Sequence, residues 1–182
     1  MRLSLRAVLV SLIAFVAIGG AIAALPGAKP TPTPSASTAK FSIEPGPCDY
    51  LQLSGVSEFI DFANDRPWYA YCAVGFQGTG WDLLSATTKV EGTSQYPAGF
   101  VCRIDGWPSK AKQNCQDTPS YAEGSWAYFL SNDRGGWTFS GTGSSMHRPA
   151  CGTSEAWLWV PGGQDPTQAK PTVQPSVSIC AD

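Results

Sequence analysis

The chain has 182 residues, 12 of them basic and 14 acidic, with six cysteines and a single histidine. Charged residues make up 14% and aromatic residues 12%, a balance that excludes disorder as the state of the whole chain. There is no basic footprint for nucleic acid and no polybasic patch for a membrane surface.

In chain order, Met1 to Arg6 carries Arg2 and Arg6 without an acid, and an uncharged stretch runs on to Leu25. A basic start, an apolar centre and the small-residue exit Ala21-Ile22-Ala23 make residues 1–23 a secretory signal peptide, cleaved before Ala24. The alternative is an uncleaved anchor, because the apolar run approaches the roughly 20 residues that span a bilayer. Gly19, Gly20 and the Ala-rich end favour cleavage. Either way the rest is translocated, secreted or held outside the cytoplasm, and the membrane is a partner only through an uncleaved leader. Without Arg2 and Arg6, ten basic residues face 14 acidic ones, a net charge of −4.

Residues 24–46 form a linker. Its Pro26 to Lys40 stretch is rich in Pro, Thr, Ser and Ala and cannot bury a core. Thr31, Thr33, Ser35, Ser37 and Thr38 are candidate O-glycosylation sites, and an unmodified spacer is the plainer alternative. The folded domain is expected over residues 47–160, followed by a Pro-rich tail, 161–182, tethered by Cys180.

Within the domain, Gly55 to Phe62 alternates, with Val56, Ile60 and Phe62 on one face and Ser57 and Asp61 on the other. Phe59 breaks the pattern. The segment predicts a half-buried strand. Trp68 to Val74 is a second strand, carrying Cys72. Thr79 to Thr88 is a helix: Thr79 caps it, Asp82 completes a capping box, and Trp81, Leu83 and Leu84 form its apolar face. Phe100 to Ile104 is a third strand, closed by the hairpin dipeptide Asp105-Gly106. Ser125 to Leu130 and Gly136 to Ser140 are strands joined by the turn Asn132 to Gly136. Glu155 to Val160 is apolar on both faces and so predicted to be covered on both sides. Two strands, a helix and more strands predict an α+β fold: a small, mostly antiparallel sheet with one packed helix, β-grasp-like and stapled by disulfides.

Cys48, Cys72, Cys102, Cys115, Cys151 and Cys180 all lie beyond the leader, and none forms a CxxC pair. Zinc and redox motifs are therefore poorly matched, and three bridges are expected in an oxidising compartment. Cys102–Cys115 flank one hairpin and close a short loop at low entropic cost. Cys72–Cys151 and Cys48–Cys180 follow by elimination, the latter as a clasp across the domain ends.

The segments GVSEFIDF, TGWDLLSATT, FVCRIDGWP, Cys115, SWAYFLSNDRGGWTFSGTG and EAWLWV, in that order, resemble a family of small secreted bacterial proteins. That family of unknown function is similar to the C-terminal β-domain of transcobalamin and intrinsic factor. The resemblance covers roughly Gly55 to Val160. Its usual YWSYW segment reads SWAYF here, retaining Trp126 and Tyr128, and Cys151 stands where the family has none. The resemblance implies a non-catalytic binding or accessory module. It extends to a corrinoid only in the sense that such a domain covers one side of the corrin ring, and this chain carries no helical partner domain for the other.

Trp126, Trp137 and Trp157 on strands, and Trp81 on the helix, first read as core, since aromatics fill a small interior. The functional alternative is a stacking surface for a flat hydrophobic ligand built from Trp107, Trp126, Tyr128 or Trp137. The loops Asn132 to Gly136 and Gly141 to Ser145 would frame it, unless they are simply turns. Catalytic constellations are missing: His147 lacks a serine elbow, the even cysteine count leaves no free thiol, and no histidine pair suits a metal. No cofactor or metal site is expected. The functional expectation is a secreted small-ligand-binding or accessory domain. The alternative is a cell-surface or cell-wall interaction module on a Pro/Thr stalk, its partner a surface protein.

Overall fold

A computed structural model of the chain describes residues 41–120, 122–178 and 180. The leader and residues 24–40 of the linker lie outside the described residues.

Ten elements follow in order: β1 (Ser42–Pro45), α1 (Cys48–Leu51), β2 (Val56–Asp61), β3 (Tyr69–Val74), α2 (Gly80–Thr87), β4 (Val90–Gly92), β5 (Val101–Ile104), β6 (Ser125–Ser131), β7 (Trp137–Phe139) and β8 (Ser154–Val160). Six strands make one sheet in the order β1-β3-β2-β8-β6-β7, and β4 pairs with β5 in a separate two-stranded sheet. Every pairing is antiparallel except β2 with β8. The domain is thus mostly β, with a mixed sheet and three disulfides.

Side-chain alternation divides the core in two. On one face Ile60, Phe62, Trp126, Tyr128, Trp157 and Trp159 pack with Leu84 of α2 and with Val101 and Ile104 of β5. Leu83 of α2 adds Val56 and Ala73. On the other face Phe59, Ala70, Phe129, Ala156, Leu158 and Val160 surround Val173. Val173 belongs to the segment expected as a tail.

The whole of β2 is therefore buried, which corrects the half-buried strand inferred from its alternation. Phe59 breaks no rule: it points to the second face, where residues 161–178 run as a strap. Asp61 fastens that strap. Its carboxylate accepts from the backbone N–H and the hydroxyl of Thr172, at 2.6 and 2.8 Å, and from the N–H of Ala63 at 2.9 Å. Ser176 gives a second fastening, donating to Asp49 at 2.6 Å and accepting from the hydroxyl of Ser57 at 3.1 Å. The linker is likewise shorter than expected, since β1 lies within residues 24–46 and forms the sheet edge beside β3.

The capped helix forms as read: Thr79 accepts from the N–H of Asp82, and the Asp82 carboxylate accepts from Thr79 in return. The Asp105-Gly106 turn also forms. Both residues have positive φ, and Ile104 and Trp107 exchange backbone hydrogen bonds across it. The pairing stops at that single bridge, and the strand partner of β5 is β4. Buried Arg103 organises the loop beyond, donating to the carbonyls of Pro108 and Gln113 at 2.7 and 2.6 Å and pairing with Glu91 at 2.5 Å.

The disulfides join Cys48 to Cys72, Cys102 to Cys115, and Cys151 to Cys180. The pairings Cys72–Cys151 and Cys48–Cys180 are corrected. The register of β1 sets Glu44 opposite Cys72, and the chain then turns to bring Cys48 to a Cα separation of 4.7 Å from Cys72. Cys180 closes the far end of the strap onto Cys151, ahead of β8. A clasp between the domain ends is replaced by two local staples, one for the edge strand and one for the strap.

If Asp61 pins the strap, Asp61→Ala leaves donors without an acceptor. It should cost about 2–3 kcal/mol in urea unfolding and speed amide hydrogen exchange selectively in residues 161–178. Unchanged exchange there would show that the strap is held by other contacts.

Candidate functional site

The site grows from the face of the sheet that carries α2. On β6, Trp126 and Tyr128 are two residues apart and so share that face. On β8, Glu155 and Trp157 do the same, and the parallel register sets Glu155 opposite Glu58 of β2. Across them lies the start of α2. The first N–H groups of a helix have no partner inside it; here Gly80 donates to the carbonyl of His147 at 2.9 Å and Trp81 to that of Ser144 at 3.3 Å. The helix end thereby holds the loop 141–147 against the sheet. Gly80 is required for this approach, because a Cβ there would come within 2.3 Å of the Tyr128 hydroxyl and 3.0 Å of Glu155.

Between loop and sheet lies a cavity of about 220 Å³, lined among others by Val101, Trp126, Tyr128, Phe139, Ser144 and Trp157. Its walls are mainly apolar. Tyr128 and Trp157 stack with ring centroids 4.8 Å apart, and Trp126 meets Trp159 edge-on at 5.8 Å. Ser144, one of the loop residues along it, is buried, and its hydroxyl has no hydrogen-bond partner.

Behind Tyr128 is a buried acid pair. Glu58 and Glu155 are both 0% exposed. The Tyr128 hydroxyl donates to Glu155 and the Thr87 hydroxyl to Glu58, and Oε2 of Glu155 has no partner. His147 Nε2 stands 3.4 Å from Glu155 Oε1. Burial raises Glu58 well above the usual carboxylate range, with Thr87 opposing the shift. Burial also pushes Glu155 up to about 7, against the pull of Tyr128. His147 is lowered by its own partial burial. Removal from water favours the neutral forms of His147 and Glu155 more than their mutual attraction favours the ionised ones. Tyr128 is raised by burial and then by Glu155, so its phenol stays protonated and remains a donor.

The chain matches no protein-family model, no curated protein and no solved structure. Among the described residues, no group of three or more His, Cys, Asp or Glu side chains could hold a metal ion.

Of the four aromatic residues named from sequence, the structure brings Trp126 and Tyr128 together on the cavity wall. Trp107 lies beside them and outside the cavity. Its ring meets Trp159 at 6.4 Å, Arg66 and Lys112 lie over it at 4.8 and 5.0 Å, and its carbonyl accepts from the Trp126 indole at 3.1 Å. Trp137 is on the opposite face, packed on Phe59 at 5.8 Å and donating to the strap carbonyl of Val173 at 2.7 Å. The four therefore do not form one stacking surface. Of the two loops, Gly141 to Ser144 lines the cavity, whereas Asn132 to Gly136 is turn chemistry. There the Asn132 side chain accepts from the N–H groups of Arg134 and Gly136.

A second cavity, about 410 Å³, lies between α1 and the strap. Its acid, Asp49, is already occupied by Ser176 and by the N–H of Tyr50.

The acid pair escaped sequence reading, though a signal was present. Each glutamate interrupts an apolar strand, SEFIDF and SEAWLWV, and the second strand was predicted to be covered on both sides. A carboxyl inside such a strand has nowhere wet to point.

Because folded Glu155 keeps its proton to higher pH than its ordinary value of 4.5, its contribution is fully present below about pH 4.5. It is lost as pH rises through about 7. The stability of Glu155→Gln relative to the unmodified protein should therefore increase by roughly 2–3 kcal/mol between pH 5 and pH 8, read from urea midpoints. A flat difference would show that the carboxyl is not held neutral.

Proposed function

We propose that the protein is an extracytoplasmic, non-catalytic binding module whose cavity between β6, β8 and the loop 141–147 accepts a small flat molecule. The observation that carries this is the concave aromatic wall of Trp126, Tyr128 and Trp157, closed by the loop residues Gly141 to Ser144. An apolar concavity with a few placed polar groups is the usual form of a small-molecule site.

The cavity narrows the ligand. At about 220 Å³ it is smaller than the roughly 300–1,000 Å³ of sites for drug-sized molecules, and it suits a single ring. A corrinoid is too large for this cavity, so the flat hydrophobic molecule is the better supported half of the expectation.

Export is supported by the disulfides, which belong to an oxidising compartment. A β-grasp-like kinship is supported by the strand order β3-β2-β8-β6 around a parallel central pair, with α2 following the β2–β3 hairpin.

Titration of the folded protein with one-ring compounds such as indole, phenol and toluene should give saturable changes in tryptophan fluorescence. Ser144→Met, which fills the cavity without altering its aromatic wall, should abolish them. The absence of a saturable response to every compound would end this reading.

A further inference from the structure

The charges around the cavity are unbalanced. Among the described residues, no Lys or Arg lines it. Glu155 is fully buried one hydrogen bond behind Tyr128, with Oε2 unpartnered. The groups facing it from each neighbouring element supply no fixed cation. Tyr128 of β6 is a neutral phenol, Glu58 of β2 is a second acid, and Thr87 of α2 is uncharged.

At the other end of α2, Asp82 is an acid engaged in the helix cap. On β3, Tyr69 donates to Asp105. In the loop, His147 is kept toward its neutral form by burial. The next residue, Arg148, is exposed and donates to the carbonyl of Gln77 at 3.0 Å. Among the described residues, the ion pairs are Arg103–Glu91 and the conditional pair His147–Glu155.

Buried carboxylates are ordinarily matched by a cation or by a full set of hydrogen-bond donors; Glu155 has the single donor Tyr128 and, beside it, His147, which burial keeps toward its neutral form. Aromatic walls add to the same preference, because ring faces carry negative potential and attract cations. An anionic ligand would meet two buried acids and, among the described residues, no fixed cation.

We propose that the cavity selects a small organic cation carried on a ring, with Glu155 supplying the counter-charge through Tyr128. The inference rests on the cavity being a ligand site, and it adds the chemical class. Binding is then linked to ionisation of Glu155. Because burial pushes that carboxyl up to about 7, affinity for a permanent cation should level off above that pH. Below it, affinity should fall by about tenfold per unit.

Calorimetric titration with N-methylpyridinium chloride, toluene and benzoate at pH 8 and pH 5.5 tests this, since none of these probes changes charge in that range. The cation should bind at least tenfold more tightly than toluene at pH 8, and benzoate least. That advantage should collapse toward unity at pH 5.5 and, at pH 8, in Glu155→Gln. A cation-to-toluene ratio that persists at pH 5.5 or in Glu155→Gln would overturn the role of Glu155. If Glu155→Gln fails to fold, the pH comparison is made in His147→Gln, which removes the other group titrating beside Glu155, and decides alone. Toluene binding as well as or better than the cation at pH 8 would overturn the inference and leave the cavity reading standing. No binding of any of the three would overturn both.

Discussion

The parallel pairing of β2 with β8 is the constraint on which the rest of the domain depends. It places two strands at the centre of the six-stranded sheet, where both faces must be shielded from water. One face is shielded by α2, by the β4–β5 sheet and by the loop 141–147. The other is shielded by the strap that carries Val173. Both disulfides at the sheet margins serve this arrangement, one securing the edge strand beside β3 and one returning the strap to the start of β8. The same register sets Glu58 beside Glu155, so the strands that build the core also carry its least core-like residues.

Two buried carboxyls are costly for a small domain. Desolvating an ionised carboxylate costs several kcal/mol, and hydrogen bonds offset only part of this. The protein limits the cost by keeping these acids toward their protonated forms and giving each a hydroxyl donor, Tyr128 or Thr87. Apolar residues of similar size would serve stability better, which is why such groups draw attention as candidates for function. Here the link is physical: Tyr128 is at once a wall of the cavity and the hydrogen-bond partner of Glu155. The loop that roofs the cavity is fastened to the helix whose glycine permits their approach.

Much of the fold was legible locally. The capping box at Thr79 and Asp82, the Asp105-Gly106 turn and the strands ending in Val74, Ile104 and Val160 are written in short-range patterns. Less of the site was legible. Trp126 and Tyr128 share a face because strand side chains alternate, which sequence reveals. Trp137 reads as their equal, and only strand placement puts it across the sheet. Phe59 looked anomalous because alternation reports one buried face and cannot announce a strap supplied by residues more than a hundred positions later. The disulfide partners of Cys48 and Cys151 depend on how β1 and the strap return, so elimination among cysteines could not find them.

The sequence by itself determined that the chain holds a disulfide-bearing, strand-rich domain with one capped helix, because residue periodicity, capping and turn chemistry act over a few positions. Tertiary structure decided which cysteines meet, which face each aromatic serves, and that two glutamates far apart in the chain become neighbours. Those outcomes follow from sheet order and register. They are set when distant strands compete to bury the same surface, and no local pattern records who wins.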